Sequence, residues 1–308
     1  MYWREFEQGN FPLVRVEGGK KEILERSEMS HLRVASLFSV AEKTVLVTVG
    51  GKGIGRMLAA GFVENGNRVY IAARDKATLD NTAAELNNSA KNTGGQCIAL
   101  QASLGTREGC EALAAEISEQ EPNGLNILVN NSGTSWGEPL SRTSGRMNWG
   151  WDKVLDLNVK APFYLTRAML PSLQKAAVSE DPARVIMIGS VVGKQHQMVP
   201  THAYDASKAA LHSLTRKLAY ELACDVTVNC IAPGYVPTKM TEGLSTWGVD
   251  GTSMSEAVPL RRMGNGSDLA GAALYLSSRA GSWITGAILP VDGGILCQPI
   301  SLSDESMD

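Results

Sequence analysis

Residues 44–55 read TVLVTVGGKGIG. The β-branched run Thr44–Val49 suits a strand. From Gly53 onward, Ile54, Leu58 and Phe62 recur at four-residue spacing, which predicts a helix over residues 53–65. A strand, a glycine-rich turn and a helix N-terminus together make a pyrophosphate site. The glycines let the backbone approach the phosphates, and the helix end offers unpaired N–H groups and positive potential. Gly50, Lys52, Gly53, Ile54 and Gly55 are the candidate binding residues in this unit, with Lys52 adding a cation inside the turn.

The next apolar run predicts a strand over residues 68–73, followed by Arg74 and Asp75. An acid after this strand serves the ribose 2′-hydroxyl of NAD, whereas an arginine accommodates the 2′-phosphate of NADP. Arg74 lies 21 residues beyond Gly53, at about the expected distance. Asp75 is the competing NAD-type acid, but it also stands where a helix over 75–92 needs its N-cap. The expected cofactor is therefore NADP(H).

Further along, short β-rich runs alternate with helical stretches. Strands are expected at 96–101, 126–129, 183–188, 225–231 and 287–290. Helices are expected at 107–121, 151–177, 204–224 and 267–278. Repeated strand–helix–strand order implies an α/β, Rossmann-type doubly wound parallel sheet in a single domain. Runs such as VLVTV, ILVN and RVIMI are apolar throughout, as strands covered on both faces must be. Residues 1–40 lack a clear period and read as an extension, partly disordered. The catalytic domain is placed at 41–298 and a tail at 299–308. The Gly-, Ser- and Thr-rich stretch between Pro237 and Asn265 reads as an irregular lid.

The 308-residue chain carries 29 basic and 32 acidic residues, a net charge of −3, and is 44% hydrophobic. It has neither the basic excess of a nucleic-acid binder nor a membrane-length apolar run. Five scattered cysteines without a CxxC pair, and only four histidines, argue against metal and disulfides and for buried free thiols. The acid-rich N-terminus lacks the apolar core of a signal peptide, so a cytoplasmic location is expected.

Tyr204 and Lys208 stand four apart at the start of a predicted helix and share one face. A phenol near pKa 10 is a poor acid at neutral pH. A neighbouring ammonium favours the phenolate, letting the tyrosine exchange a proton with a carbonyl or alcohol oxygen. Ser190 follows the strand at 183–188, at the sheet edge where ligands bind. Asn158 falls inside a predicted helix, which is unfavourable without a reason.

These residues converge on a pattern. From about Thr44 to Gly294 the chain resembles the short-chain dehydrogenase/reductases. The likeness is carried by TVGGKGIG (48–55), NNSG (130–133), Asn158, Ser190, YDASK (204–208), PGYVPT (233–238) and VDGG (291–294). The resemblance implies that Ser190 polarises the substrate oxygen and that Tyr204 is the general acid/base. It implies that Lys208 tunes Tyr204 and binds the nicotinamide ribose, while Asn158 holds a water linking Lys208 to solvent. Asn130 would support the sheet beside the cofactor. Pro233, Gly234, Val236 and Thr238 would follow the nicotinamide, with Thr238 on its carboxamide. Ser103 stands where the family has an aspartate for the adenine amino group. Within the family, NNSGTSWGEPL (130–140) and GWDKVLDLNV (150–159) look like rhamnolipid-type ketoacyl reductases and their fungal relatives.

Two positions depart from the pattern. Val49 stands where a glycine is usual, and a β-branched residue is poorly suited to positive φ. Gly50 would take over that role only by a one-residue shift. Ser103 bonds less strongly than a carboxylate. The reading is an NADPH-dependent keto reductase of a small-molecule ketone, expected as a homotetramer or homodimer. The alternatives are an alcohol, polyol or steroid dehydrogenase, and a non-catalytic dinucleotide-binding protein.

Overall fold

The computed structural model describes residues 14–17, 20–23, 28–144 and 148–297. The expected C-terminal tail lies outside them, as do residues 1–13, 18–19 and 24–27 of the N-terminal extension. The described part of that extension contains regular elements. Strands β1 (Val14–Glu17) and β2 (Lys20–Ile23) pair antiparallel, and a short helix α1 spans Val34–Leu37. The Phe38 ring then packs 6.1 Å from that of Tyr275, and Val40 is buried. The chain is thus docked onto the domain before the first sheet strand begins.

Seven strands form one parallel sheet: β3 (Thr44–Thr48), β4 (Arg68–Ala73), β5 (Gln96–Gln101), β6 (Ile127–Asn130), β7 (Ala183–Ile188), β8 (Val226–Pro233) and β9 (Ile288–Val291). Their spatial order is β5-β4-β3-β6-β7-β8-β9. The chain runs outward from β3 to β5, returns to β6 beside β3, and then builds the other half. The crevice at the C-terminal ends of β3 and β6 is therefore the topological switch point, where open α/β sheets bind ligands.

Alternation along the strands divides the core in two. Val45, Val47, Ile71, Val129 and Ile186 pack on helices α2 (Gly53–Glu64), α3 (Lys76–Ser89) and α10 (Gly266–Ser277). Leu46, Tyr70, Leu128, Val185 and Val228 pack on α4 (Arg107–Gln120), α6 (Ala161–Ala176) and α7 (His202–Glu221). Each large side chain so buried stabilises the fold by about 1.5–3 kcal/mol.

Three expectations need correction. The helix expected over 151–177 is interrupted: α5 (Trp151–Leu155) leads into a π turn, Asp156–Lys160, before α6. The lid region is not irregular. It folds into α8 (Lys239–Glu242), a 3₁₀ turn at Gly243–Trp247 and α9 (Gly251–Ala257), with reciprocal caps at Thr238 and Asp250. Cys97, Cys110 and Cys230 are buried thiols, but Cys224 and Cys297 are exposed.

Candidate active site

The glycine turn leaves β3 at Thr48, whose hydroxyl accepts from the amides of Asn131 (2.8 Å) and Ser132 (2.9 Å). The Asn131 side chain donates back to the Thr48 carbonyl at 2.9 Å. These bonds lock the ends of β3 and β6 together at the switch point. Gly55 packs so closely that an added Cβ would stand 2.3 Å from the Val49 carbonyl oxygen. Val49 itself adopts φ +52°, so the role is not passed to Gly50 by a one-residue shift. Gly50 instead backs onto β4, where a Cβ would meet Ile71 at 2.5 Å. Gly53 has φ +53° at the first turn of α2, and Ile54 packs beside it on the core.

A β-branched residue held at positive φ stores roughly 1–3 kcal/mol of strain. A glycine there would relieve it, less the roughly 0.5–1 kcal/mol of chain entropy that glycine forfeits. Val49→Gly is expected to raise the unfolding midpoint and to tighten NADPH binding several-fold. Unchanged affinity in a fluorescence titration would show that Val49 does not hinder the phosphates.

A cleft of about 810 Å³ opens over this turn, lined by Val49, Lys52, Arg74, Asp75, Ser103 and Thr134 among others. Lys52 is the N-cap of α2, and both it and Arg74 are exposed. Asp75 caps α3, accepting from the Thr78 amide at 3.1 Å and its hydroxyl at 2.6 Å. Those bonds hold its carboxyl below the usual range. The capping role anticipated for Asp75 is thus the one it fills. Lys153, Asp156 and Leu157, from α5 and the π turn, line the same cleft.

Asn158 sits fully buried in the π turn. Its Oδ1 accepts from the Thr134 amide at 2.8 Å; its Nδ2 donates to the Thr134 carbonyl at 3.0 Å and the Ser207 hydroxyl at 2.9 Å. A mid-helix asparagine is explained by this: the widened turn carries it to a loop backbone needing both a donor and an acceptor. Such π turns recur at functional sites. Asn130, one strand residue earlier than the loop, faces the other way and donates to Thr166 on α6 at 3.0 Å.

Ser190, Tyr204 and Lys208 come together as expected. Ser190 follows β7 and caps a short 3₁₀ turn, Val191–Gly193. Its side chain neighbours the Tyr204 phenol closely enough to lower the phenol's pKa. The Lys208 ammonium lies 5.5 Å from the Tyr204 ring centre and donates to the Ile188 carbonyl at 2.7 Å. A Cβ on Gly133 would sit 3.5 Å from Asn158 Oδ1 and 3.7 Å from Lys208 Nζ, so Asn158 and Lys208 border one spot. The phenol is not lowered by the lysine, as its neighbourhood suggests. Burial pushes Tyr204 up to about 12, with Ser190 pulling the other way. Burial also pulls the Lys208 ammonium down to about 8.

Beyond β8, Gly234 donates its amide to Val291 at 3.1 Å and Val236 is buried. Thr238 then comes alongside the glycine turn, its methyl 3.5 Å from where a Gly53 Cβ would be. Pro233 is the last residue of β8 and sets this exit. Trp247 from the lid packs over Gly137, and Trp136 donates to the buried Glu138 at 2.8 Å. Sequence reasoning misses Asn131, Lys153, Asp156 and Leu157. The doubled amide in NNSG signals the first; the other three reach the cleft only through tertiary packing.

Residues 49–296 match the family model described as Enoyl-(Acyl carrier protein) reductase. The chain is 41% identical over 258 residues to a rhamnolipids biosynthesis 3-oxoacyl-[acyl-carrier-protein] reductase of Pseudomonas aeruginosa, covering 83% of this chain and 97% of that one. It is 33% identical over 286 residues to the short-chain dehydrogenase/reductase PhomF of Diaporthe leptostromiformis, covering 86% and 95%. Among solved structures, the Pseudomonas aeruginosa RhlG/NADP active-site complex matches with a TM-score of 0.77 at 41% identity, over 84% of this chain and 98% of that one. A putative 2-deoxy-D-gluconate 3-dehydrogenase from Agrobacterium tumefaciens with bound NADP matches at 0.71 and 32% identity, over 85% and 99%.

Proposed function

The chain belongs to the short-chain dehydrogenase/reductase family, and from that premise we propose that it is an NADPH-dependent keto reductase acting on a 3-oxoacyl-type ketone. The observation that carries this reading is the grouping of Ser190, Tyr204 and Lys208 beside Gly133, which lines the same cleft as Lys52 and Arg74: a Cβ on Gly133 would stand 3.7 Å from Lys208 Nζ. The cleft fits the cofactor: the N-terminus of α2, with Val49 and Gly53 at positive φ beside it, would hold the phosphates, and Lys52 and Arg74 would hold the 2′-phosphate. Bound there, NADPH supplies the hydride to the carbonyl carbon.

The protein's own residues handle the oxygen. Ser190 donates a hydrogen bond to it, and Tyr204 Oη delivers the proton as charge builds. The Lys208 ammonium stabilises the phenolate left behind until solvent returns the proton. Asn158 holds the Thr134 backbone, next to the Gly133 that Lys208 borders. A small-molecule ketone, a cytoplasmic setting and a homotetramer or homodimer complete the proposal. Exposed Tyr220 on α7 and Phe163 on α6 support contact between copies through those helices.

The protonation states are those that ketone reduction uses. A phenol near 12 is protonated at neutral pH, ready to give a proton rather than take one. Lys208 is charged only below about pH 8. For the complex with NADPH, kcat/KM for ketone reduction is expected to be flat below pH about 8 and to fall about tenfold per unit above it. A rate that climbs through that region would contradict the assignment. The reading as a whole is tested by mixing the protein with a 3-oxoacyl thioester and NADPH or NADH. Turnover with NADPH preferred supports it. Failure to bind either dinucleotide would make the chain a non-catalytic member of its family.

A further inference from the structure

One buried side chain of α7 has no part in the chemistry above. His212 lies one turn beyond Lys208 and is 3% exposed. Its imidazole fills space vacated by two glycines. A Cβ on Gly189 would stand 2.6 Å from His212 Nε2, and one on Gly193 would stand 2.6 Å from its Cε1 and 2.8 Å from its Nδ1. Gly189 immediately precedes Ser190, and Gly193 closes the 3₁₀ turn that Ser190 caps. One ring therefore touches the serine-bearing turn at both ends.

The Nδ1 edge of the ring faces the Gly193 backbone, which favours the ring's proton slightly. The Gly193 amide is used on the Ser190 carbonyl at 3.1 Å, so the Gly193 carbonyl is the group there that an Nδ1–H could meet. Nε2, at the opposite edge, has no partner. A buried polar atom without a partner is costly, and its retention calls for a reason. Within the turn, the Ser190 hydroxyl is tied only by a long contact from the Val192 amide, at 3.4 Å. The turn's own bonds therefore place that hydroxyl loosely.

We propose that His212 is a positioning residue for the reaction: its imidazole is the seat on which the Ser190 turn rests, and it fixes where the Ser190 hydroxyl meets the substrate oxygen. The ring does this without adding charge beside Lys208. Burial, then Lys208, Lys194 and Arg216, hold it near 4, so it is neutral at working pH. The proposal rests on the reading that Ser190 polarises the substrate oxygen.

The test compares His212→Leu, His212→Asn, Ser190→Ala and the double variant Ser190→Ala/His212→Leu in ketone reduction. Leucine fills the site but cannot bond Gly193, whereas the asparagine amide nitrogen can take the place of Nδ1. His212→Leu is expected to lower kcat about 10- to 100-fold, the cost of a small misplacement. Its NADPH Kd and ketone KM should stay within about twofold. His212→Asn should recover most of kcat, and the double variant should be no slower than Ser190→Ala alone. Wild-type kcat in His212→Leu, or losses that multiply in the double variant, would overturn the proposal. If His212→Leu does not fold, judged by loss of NADPH binding, His212→Asn decides: kcat near wild type upholds the seat, and a large loss with NADPH binding intact removes it. Full turnover by Ser190→Ala would instead sink the premise about Ser190.

Discussion

Replacing Tyr204 with phenylalanine is expected to lower ketone reduction about a thousandfold while leaving NADPH affinity within about threefold. The substitution removes one oxygen and keeps the ring, so the face presented to the Lys208 ammonium, 5.5 Å away, survives. What is lost is the hydroxyl that neighbours the Ser190 side chain and is proposed to give the proton. Solvent cannot replace it readily, because Ser190 is 9% exposed and Lys208 4%. Steady-state rates and a fluorescence titration measured on the same preparation separate the two effects. Substantial turnover in the variant would mean that another group protonates the oxygen, and the assignment of Tyr204 as acid would fail.

The second large effect is expected at the other end of the cleft. Removing both cations in Lys52→Ala/Arg74→Ala should weaken NADPH binding about 100-fold, since each charge-assisted bond to a phosphate oxygen is a strong one. NADH, which lacks that phosphate, should change by less than about threefold. Asp75→Ser keeps a capping oxygen for Thr78 and should leave the preference between the two dinucleotides unaltered. Equal losses for NADPH and NADH would assign Lys52 and Arg74 to the pyrophosphate or to the fold, and would return Asp75 to consideration.

The strands are legible in the sequence to within a residue or two, because both sheet faces are covered and their runs are apolar from end to end. The cap at Asp75 is legible for a similar reason, since its chemistry is local. The π turn is not. It exists because Asn158 satisfies Thr134, 24 positions away, and nothing near Asn158 announces that partner. The lid helices carry readable caps at Thr238 and Asp250, but each is too short for a periodic pattern to emerge. The protonation of Tyr204 escapes for a third reason. Spacing alone pairs it with a cation, whereas its burial, which decides the outcome, belongs to the whole fold. Val49 is the mixed case: sequence flags the misfit, and only the backbone reveals that the valine itself accepts the left-handed conformation.

The turn at Asp156–Lys160 also separates two duties that a continuous helix would couple. Each residue of a regular helix advances the side-chain direction by about 100°, so rotating one end rotates the other. Beyond the turn, Leu165, Met169 and Leu173 are indexed to the sheet; before it and at its start, Lys153, Asp156 and Leu157 are indexed to the cleft. The wider turn acts as a phase shifter between them. Substitutions that re-seat α6 on the core can therefore be absorbed without turning the cleft wall. The lining of the cleft, and with it the choice of ligand, is free to drift while the scaffold stays in register.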